Sequence, residues 1–377
     1  MNLEFGIDCD RLNMKKTIVI VSILKPVDDT RMLEKFGISL SDSGNYDVVI
    51  IGYPSTLKPA YPNIKFIPLK SFKRISVSRL LAPLKVLLKT YQVKHDILIV
   101  NSHELLIVAL LNRILFGSKI IYDIQENYYL TIRHTDAFPK WIRSFLALWV
   151  RGKEKITAPF FHWFFLAEKG YAREFSFTGK RATILENKPI VPKHFVRANR
   201  PRKTHLLFSG TLGASTGIFQ AIDLAKNLHR IDSEITLQII GYAAQEQIYL
   251  RIKDEISGHD FIQLTGGNCL VPHVEIMDAI ANAGFGIIIY PTSPHTQNSM
   301  PTKLYEYVAS GLPILLQDHK PWVEFCHPFG GAIILEDDLN YTELLSTMKT
   351  KLFYTKEAGP VFWDSEAGKF LDVIKNM

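Results

Sequence analysis

Apolar residues in this chain come in two alternating forms. Some are short runs rich in Ile, Val and Leu, and others recur every three or four residues over longer stretches. A short apolar run bounded by polar or turn residues predicts a strand buried on both faces, and the three-and-four spacing predicts a helix packed along one stripe. In the first half the runs are residues 17–24, 46–52, 96–100, 119–124, 162–167 and 182–185. In the second half they are 206–209, 236–241, 261–264, 286–290, 313–316 and 331–335. Between them, helices are predicted where Leu33, Phe36 and Leu40 share a stripe, at 76–91, from the NSHELL segment onward, and at 218–228, 274–283, 301–310 and 361–376. Asp28 or Asp29 caps the first of these. Strand and helix alternate throughout, the pattern of doubly wound parallel sheets.

Two of the helical stretches are unusually apolar. In 76–91, Val77, Leu80, Leu81, Leu84, Leu87, Leu88 and Tyr91 recur with helical period, with Arg79, Lys85 and Lys89 on other faces. In 139–155, Trp141, Phe145, Leu148 and Trp149 share a stripe, with Lys140, Arg143, Arg151, Lys153 and Lys155 interspersed. Packing against the core is the first expectation for both, and a membrane-surface face is the sharper alternative.

A length of 377 residues predicts two domains. Residues 188–203 hold three prolines and many basic residues and are expected to link a domain of 14–187 to one of 204–358. Residues 1–13 carry no pattern and are expected to be a loose extension, and 359–377 to be a terminal helix that returns toward the first domain. Charge is divided unevenly, +13 over residues 1–197 and −6 over the rest. A basic first half points to an anionic partner such as a membrane surface or a phosphate-bearing acceptor. Cys9, Cys269 and Cys326 are scattered and odd in number, which fits a reducing compartment and gives no metal-ligand spacing. No run is long and apolar enough to span a bilayer, and the Lys-Pro and acidic pair after residue 24 replace the cleavage site that a signal peptide needs. A cytoplasmic protein, at the inner face of the cell membrane, is expected.

The chemistry concentrates in residues 284–318, GFGIIIYPTSPHTQNSMPTKLYEYVASGLPILLQD. A strand, a loop of small and polar residues, a helix begun by Pro301 and closed by Gly311, and a second strand form one unit. Leu304 and Val308 share the packing stripe, while Lys303, Glu306 and Ser310 share another, so a cation and a carboxylate face the loop side of the sheet. Ligands of open α/β sheets bind at the carboxyl ends of the strands, where helix N-termini offer unpaired N–H groups. A surface charge pair between Lys303 and Glu306 is the plainer alternative. Earlier, SGTLGASTG follows a predicted strand and opens a helix, and Gly210, Gly213 and Gly217 let its backbone turn tightly and approach a diphosphate.

The stretch NSMPTKLYEYVASGLPIL resembles the nucleotide-sugar motif of the GT-B glycosyltransferases, in particular retaining family four, and the likeness extends over nearly the whole chain from Met14. It implies a GT-B fold, two Rossmann-like doubly wound parallel-sheet domains facing a cleft. It further implies transfer of a hexose-type sugar from a nucleotide-diphosphate donor, with retention of configuration; the basic first half and the two basic apolar helices point to peripheral membrane binding and so to a lipid-linked or polysaccharide precursor of the cell surface as acceptor. The donor is a substrate, and neither cofactor nor metal is implied. Partners are the nucleotide sugar, an acceptor glycan or lipid-linked sugar and a peripheral membrane contact, with no nucleic acid.

By the same resemblance Glu306 binds the ribose, and Asn298, Ser299, Thr302 and Lys303 cradle the sugar and diphosphate together with Gly210, Thr211, Gly213, Thr216 and Gly217. Gly241, Tyr242, Thr265 and Gly266 run beside the nucleotide. Asp123 and Glu126, in YDIQENYY, match a catalytic strand end, with Gln125 at its third position, and Lys303, as the nearest cation in the motif, is expected to stabilise the leaving diphosphate in place of cations that the family has and this chain lacks. Asp29 and Arg31 border the acceptor side. Four positions depart from the family pattern: Thr211 and Thr216 stand where an arginine and a lysine are usual, Asn298 where a first glutamate is, and Gln125 where a histidine is. A non-catalytic sugar-nucleotide-binding protein or partner subunit, and a sugar-nucleotide 2-epimerase, are the alternatives.

Overall fold

A computed structural model describes residues 15–55, 61–70, 76–135, 138–190, 204–291, 293–294, 296–297, 299–355 and 361–377. The expected leader, most of the expected linker and Asn298 lie outside the described residues. Contacts divide the chain into two compact units, one formed by residues up to Tyr129, Lys140–Glu186 and Ala367–Met377, the other by Leu130–Pro139 and Asn187–Glu366.

The first unit begins with β1 (Lys16–Pro26), a π-helix over Thr30–Gly37 that runs into α1 (Ile38–Asp42), β2 (Tyr46–Tyr53), β3 (Ile64–Pro68) and α2 (Val77–Gln92). There follow β4 (Ile97–Val100), α3 (Leu106–Phe116), β5 (Lys119–Ile124), α4 (Tyr128–His134), which belongs to the second unit from Leu130 onward, α5 (Lys140–Thr157), β6 (Trp163–Leu166), α6 (Tyr171–Glu174) and β7 (Ala182–Ile184). All seven strands are parallel, in the order β3-β2-β1-β4-β5-β6-β7. Both faces are covered, so a central strand such as β4 is buried at every residue. Leu33, Phe36 and Leu40 are buried together as their spacing predicts, and Asp29 caps their helix by accepting from the N–H groups of Arg31 and Met32. The first turns of that helix are π rather than α.

The second unit runs β8 (His205–Thr211), α7 (Ile218–Ile231), β9 (Thr236–Tyr242), α8 (Glu246–Ile256), β10 (Ile262–Gly267), α9 (His273–Asn282), β11 (Phe285–Ile288) and α10 (Thr302–Ala309). It continues through β12 (Ile314–Gln317), α11 (Lys320–Cys326), β13 (Ala332–Leu335) and α12 (Tyr341–Thr350), and α13 (Asp364–Lys375), which belongs to the first unit from Ala367 onward, ends the chain. Its six strands are also parallel, in the order β10-β9-β8-β11-β12-β13. At the start of α13, Glu366 pairs with Lys188 at 2.6 Å. Further along, Phe370 stacks on Phe36 with ring centroids 4.5 Å apart.

The apolar helices α2 and α5 depart from the core packing expected of them. Leu80, Leu81, Leu84, Leu88 and Tyr91 of α2 are exposed, as are Trp141, Phe145, Leu148 and Trp149 of α5. The contact with the unit's interior is made instead by the small and branched residues Ala82 and Val86 in α2 and Ala147 and Val150 in α5. Each helix has two apolar faces, and the one of smaller side chains lets its axis approach the sheet. Strand β3 and helices α8, α11 and α12 are not among the elements expected from the pattern; in α8 only Ile252 is buried.

Candidate functional site

Strand order reverses between β8 and β11, and such a switch point is where open parallel sheets bind ligands. Strand β8 delivers the glycine loop there, β11 delivers the loop that ends at Pro301, and α10 begins at the same place. Gly210, Gly241 and Gly266 stand in register across the ends of β8, β9 and β10. A Cβ on Gly241 would lie 1.7 Å from the Gly210 carbonyl oxygen, so the rung is closed to side chains and presents bare backbone. Gly217, at φ +80°, has the same constraint: its Cβ would lie 1.4 Å from the Ile289 oxygen, which ties the glycine loop to the end of β11.

The hydroxyl of Thr216 accepts from the Gly213 N–H at 3.0 Å and donates to the Thr211 oxygen at 2.8 Å, so it holds the loop in shape. Tyr242 and Thr265 are half-buried beside the rung and Thr211 is exposed. Ser299, in the loop before α10, is fixed by Trp322, whose indole donates to its carbonyl at 2.6 Å. Thr302 accepts from the Asn187 amide at 2.8 Å.

Lys303 is only 6% exposed. Its Nζ sits 3.7 Å above the Phe208 ring centroid and has no hydrogen-bond partner among the described residues. The end of its stem lies beside Gly210, 3.9 Å from where a Cβ would be. Burial pushes its pKa down to about 7, against the opposing pull of Glu306. Glu306 is 8% exposed and is held by His273, the first residue of α9, with Nε2 to Oε1 at 3.1 Å. A solvated Lys303–Glu306 surface pair is therefore not what the structure contains. His273 was missed in the sequence because it lies 33 positions away, and no local spacing links it to Glu306. Beneath them Tyr307 bonds the N–H and hydroxyl of Ser209 at 3.2 and 2.9 Å, in space that Gly286 leaves open.

In the first unit the reversal falls between β1 and β4. Arg31 and Asp123, each 1% exposed, form a fork with Nη2 to Oδ1 at 2.7 Å and Nε to Oδ2 at 2.9 Å. Arg31 also donates to the Leu185 carbonyl, and Gln125 donates to Asp123 at 2.6 Å. These three residues therefore satisfy one another. Asp29 caps the π-helix and pairs with Lys25 at 3.1 Å, while Glu126 is exposed. At the end of β4 the buried amide of Asn101 and hydroxyl of Ser102 lack partners among the described residues. Beside them His103 lies 3.2 Å from Lys153, and burial lowers its pKa to about 4 against the pull of Glu104. The polar run NSHE directly after a buried strand was the available signal for this group.

Among the described residues no three His, Cys, Asp or Glu side chains converge as a metal site. No helix among them is long and apolar enough to cross a membrane.

No protein-family model matches the chain, and no curated protein matches it in sequence. Solved structures do. A sucrose-phosphate synthase from Thermosynechococcus elongatus superposes with TM-score 0.68 at 12% identity, over 96% of this chain and 99% of that one. An α,α-trehalose-phosphate synthase (UDP-forming) from Burkholderia xenovorans, in complex with glucose-6-phosphate, gives 0.65 at 10%, over 95% and 99%. A trehalose-6-phosphate protein from E. coli, bound with UDP-2-fluoro glucose, gives 0.61 at 13%, over 96% and 95%. At such identities the likeness establishes the fold, and with its two parallel-sheet units this chain has the GT-B fold of glycosyltransferases.

Proposed function

We propose that this protein is a glycosyltransferase of the retaining family-four type that moves a hexose-type sugar from a nucleotide-diphosphate donor. The acceptor we propose is a lipid-linked or polysaccharide precursor of the cell surface, met at the cytoplasmic face of the membrane. One observation carries the reading: at the switch point beside the glycine rung lies a buried lysine, Lys303, with no hydrogen-bond partner among the described residues. A departing diphosphate needs positive charge where its own charge grows. Thr211 and Thr216 supply none, so Lys303, the amides of the glycine loop and the N-terminus of α10 take that role. Glu306, steadied by His273, accepts from the ribose hydroxyls, and the rung of Gly210, Gly241 and Gly266 lets the nucleotide lie against backbone. Retention follows from front-face attack in which the leaving phosphate takes the acceptor's proton. The solved likenesses with UDP-2-fluoro glucose and glucose-6-phosphate support a nucleotide sugar and a sugar acceptor as ligand classes.

Incubation with a panel of UDP-, GDP- and ADP-sugars, with calorimetry of the matching nucleotides, tests this. We expect one donor to be turned over with its anomeric configuration kept, without added metal and in the presence of chelator. Nucleotide binding without turnover would favour the non-catalytic alternative, which the internal use of Thr216 and of Asp123 supports.

A further inference from the structure

Among the described residues, exposed large hydrophobic side chains concentrate on the outer face of α2, α3 and α5. Fifteen of the 23 exposed large hydrophobic residues among those described lie on these three helices. They pack side by side, α2 against α3 and α3 against α5. Helix α3, between the other two, continues the surface with Ile107, Leu111 and Ile114, where Ile114 is 68% exposed. At either side Leu84 and Trp141 are 55% and 83% exposed in the whole chain. Among its described residues the second unit has only scattered exposed hydrophobics, the ordinary condition of a protein surface.

Charge on the same face has one sign. The three helices carry a single carboxylate, Glu154, which is 1% exposed and bonded to Tyr122. Lys85, Lys140 and Lys155 are exposed, and Lys89, Arg113 and Arg143 are half-buried. Tryptophans, leucines and cations on helices without exposed carboxylates suit a face that lies in a lipid interface. A second copy of the chain fits poorly, because a two-fold contact would set these cations against their own copies with no carboxylate to pair them.

We infer that the joint face of α2, α3 and α5 docks this protein on an anionic bilayer surface, apolar side chains entering the interface and lysines meeting lipid phosphates. The inference rests on the proposed function only for its use, which is to bring the enzyme to a lipid-linked acceptor.

The test is sedimentation of the full chain with vesicles of phosphatidylcholine alone and of phosphatidylcholine with phosphatidylglycerol, at low and high salt. We expect binding to the phosphatidylglycerol vesicles that falls as salt rises. Ile114→Ser with Trp141→Ser should weaken it tenfold or more, and so should Lys85→Glu with Lys140→Glu, with nucleotide affinity unchanged in both. All four positions are exposed, and unchanged circular dichroism confirms the fold. No sedimentation at low salt, equal binding to both vesicles, or loss of a dimer rather than of lipid binding in the variants would overturn the inference. Vesicle binding by a protein that turns over no sugar nucleotide would retain this inference while removing the proposed function.

Discussion

Replacing Lys303 by methionine separates a lysine kept for a ligand from one kept for the fold. The side chain is nearly isosteric, so packing over Phe208 is preserved while the charge is lost. Burial moves the lysine pKa from 10.5 to about 7. At about 1.4 kcal/mol per pKa unit, this means that keeping the ammonium charged costs the native state on the order of 3–5 kcal/mol. The native pKa lies below the unfolded one, so between about pH 7 and 10.5 the unfolded chain holds a proton that the native chain lacks. Wild-type stability therefore rises with pH across that window, and the full cost is present below about pH 7. Lys303→Met removes the cost. It should raise the denaturation midpoint near pH 6, by a margin that shrinks toward pH 10, while turnover falls by about two orders of magnitude or more. Nucleotide-diphosphate affinity should also weaken in the wild type as pH rises through about 7 and stay flat in the variant over that range. Chemical denaturation at several pH values, with kcat measured on the same preparations, decides it. A variant that keeps its turnover, or is less stable than wild type at pH 6, refutes the reasoning.

Two other substitutions probe the neighbouring groups. His273→Ala should leave Glu306 unsteadied and weaken nucleotide binding about tenfold by calorimetry, the scale of one charge-assisted hydrogen bond, with melting temperature changed little. Asp123→Asn should cost about 3–5 kcal/mol of stability in a urea titration, because it leaves the buried Arg31 guanidinium without its counter-charge. A stable Asp123→Asn protein with turnover abolished would instead place the carboxylate in the chemistry.

The sheets were legible because their strands are buried on both faces, so each is a short apolar run that looks like little else. Residues 119–124 are a strand in both the pattern and the structure, and Leu33, Phe36 and Leu40 share a buried stripe as spaced. Direction was not legible in α2 and α5. Periodicity shows that a helix has an apolar stripe, but when a second stripe of alanine and valine exists it does not say which one meets the sheet. In the candidate site, the strand ends and the helix start could be placed from glycines, Pro301 and the run before them. The partners could not. Arg31 meets Asp123 across 92 positions and Glu306 meets His273 across 33, and no local rule carries pairings of that range.

One physical criterion sorts the polar groups that the fold keeps for itself from those it leaves available. A buried polar atom costs free energy unless it is bonded, so evolution retains an unbonded one only where something else repays the cost. Arg31 and Asp123 meet that demand internally, with a fork, a carbonyl and Gln125. Glu154 meets it in part, accepting from Tyr122 through one oxygen and pairing with Arg151 at 3.4 Å through the other. Such groups define the architecture, and their family-like positions do not by themselves make them chemical. The Lys303 ammonium, the Asn101 amide and the Ser102 hydroxyl are among the buried groups that have no hydrogen-bond partner within the described residues. Each lies at the carboxyl end of a strand beside a switch point, Lys303 against β8 in the second unit and the other two after β4 in the first. An anion suits the first group, and a ligand with hydroxyls that both donate and accept suits the second pair. A sugar nucleotide and a sugar acceptor have those two chemistries, which is why the unbonded groups weigh more for the proposed function than the motif matches do.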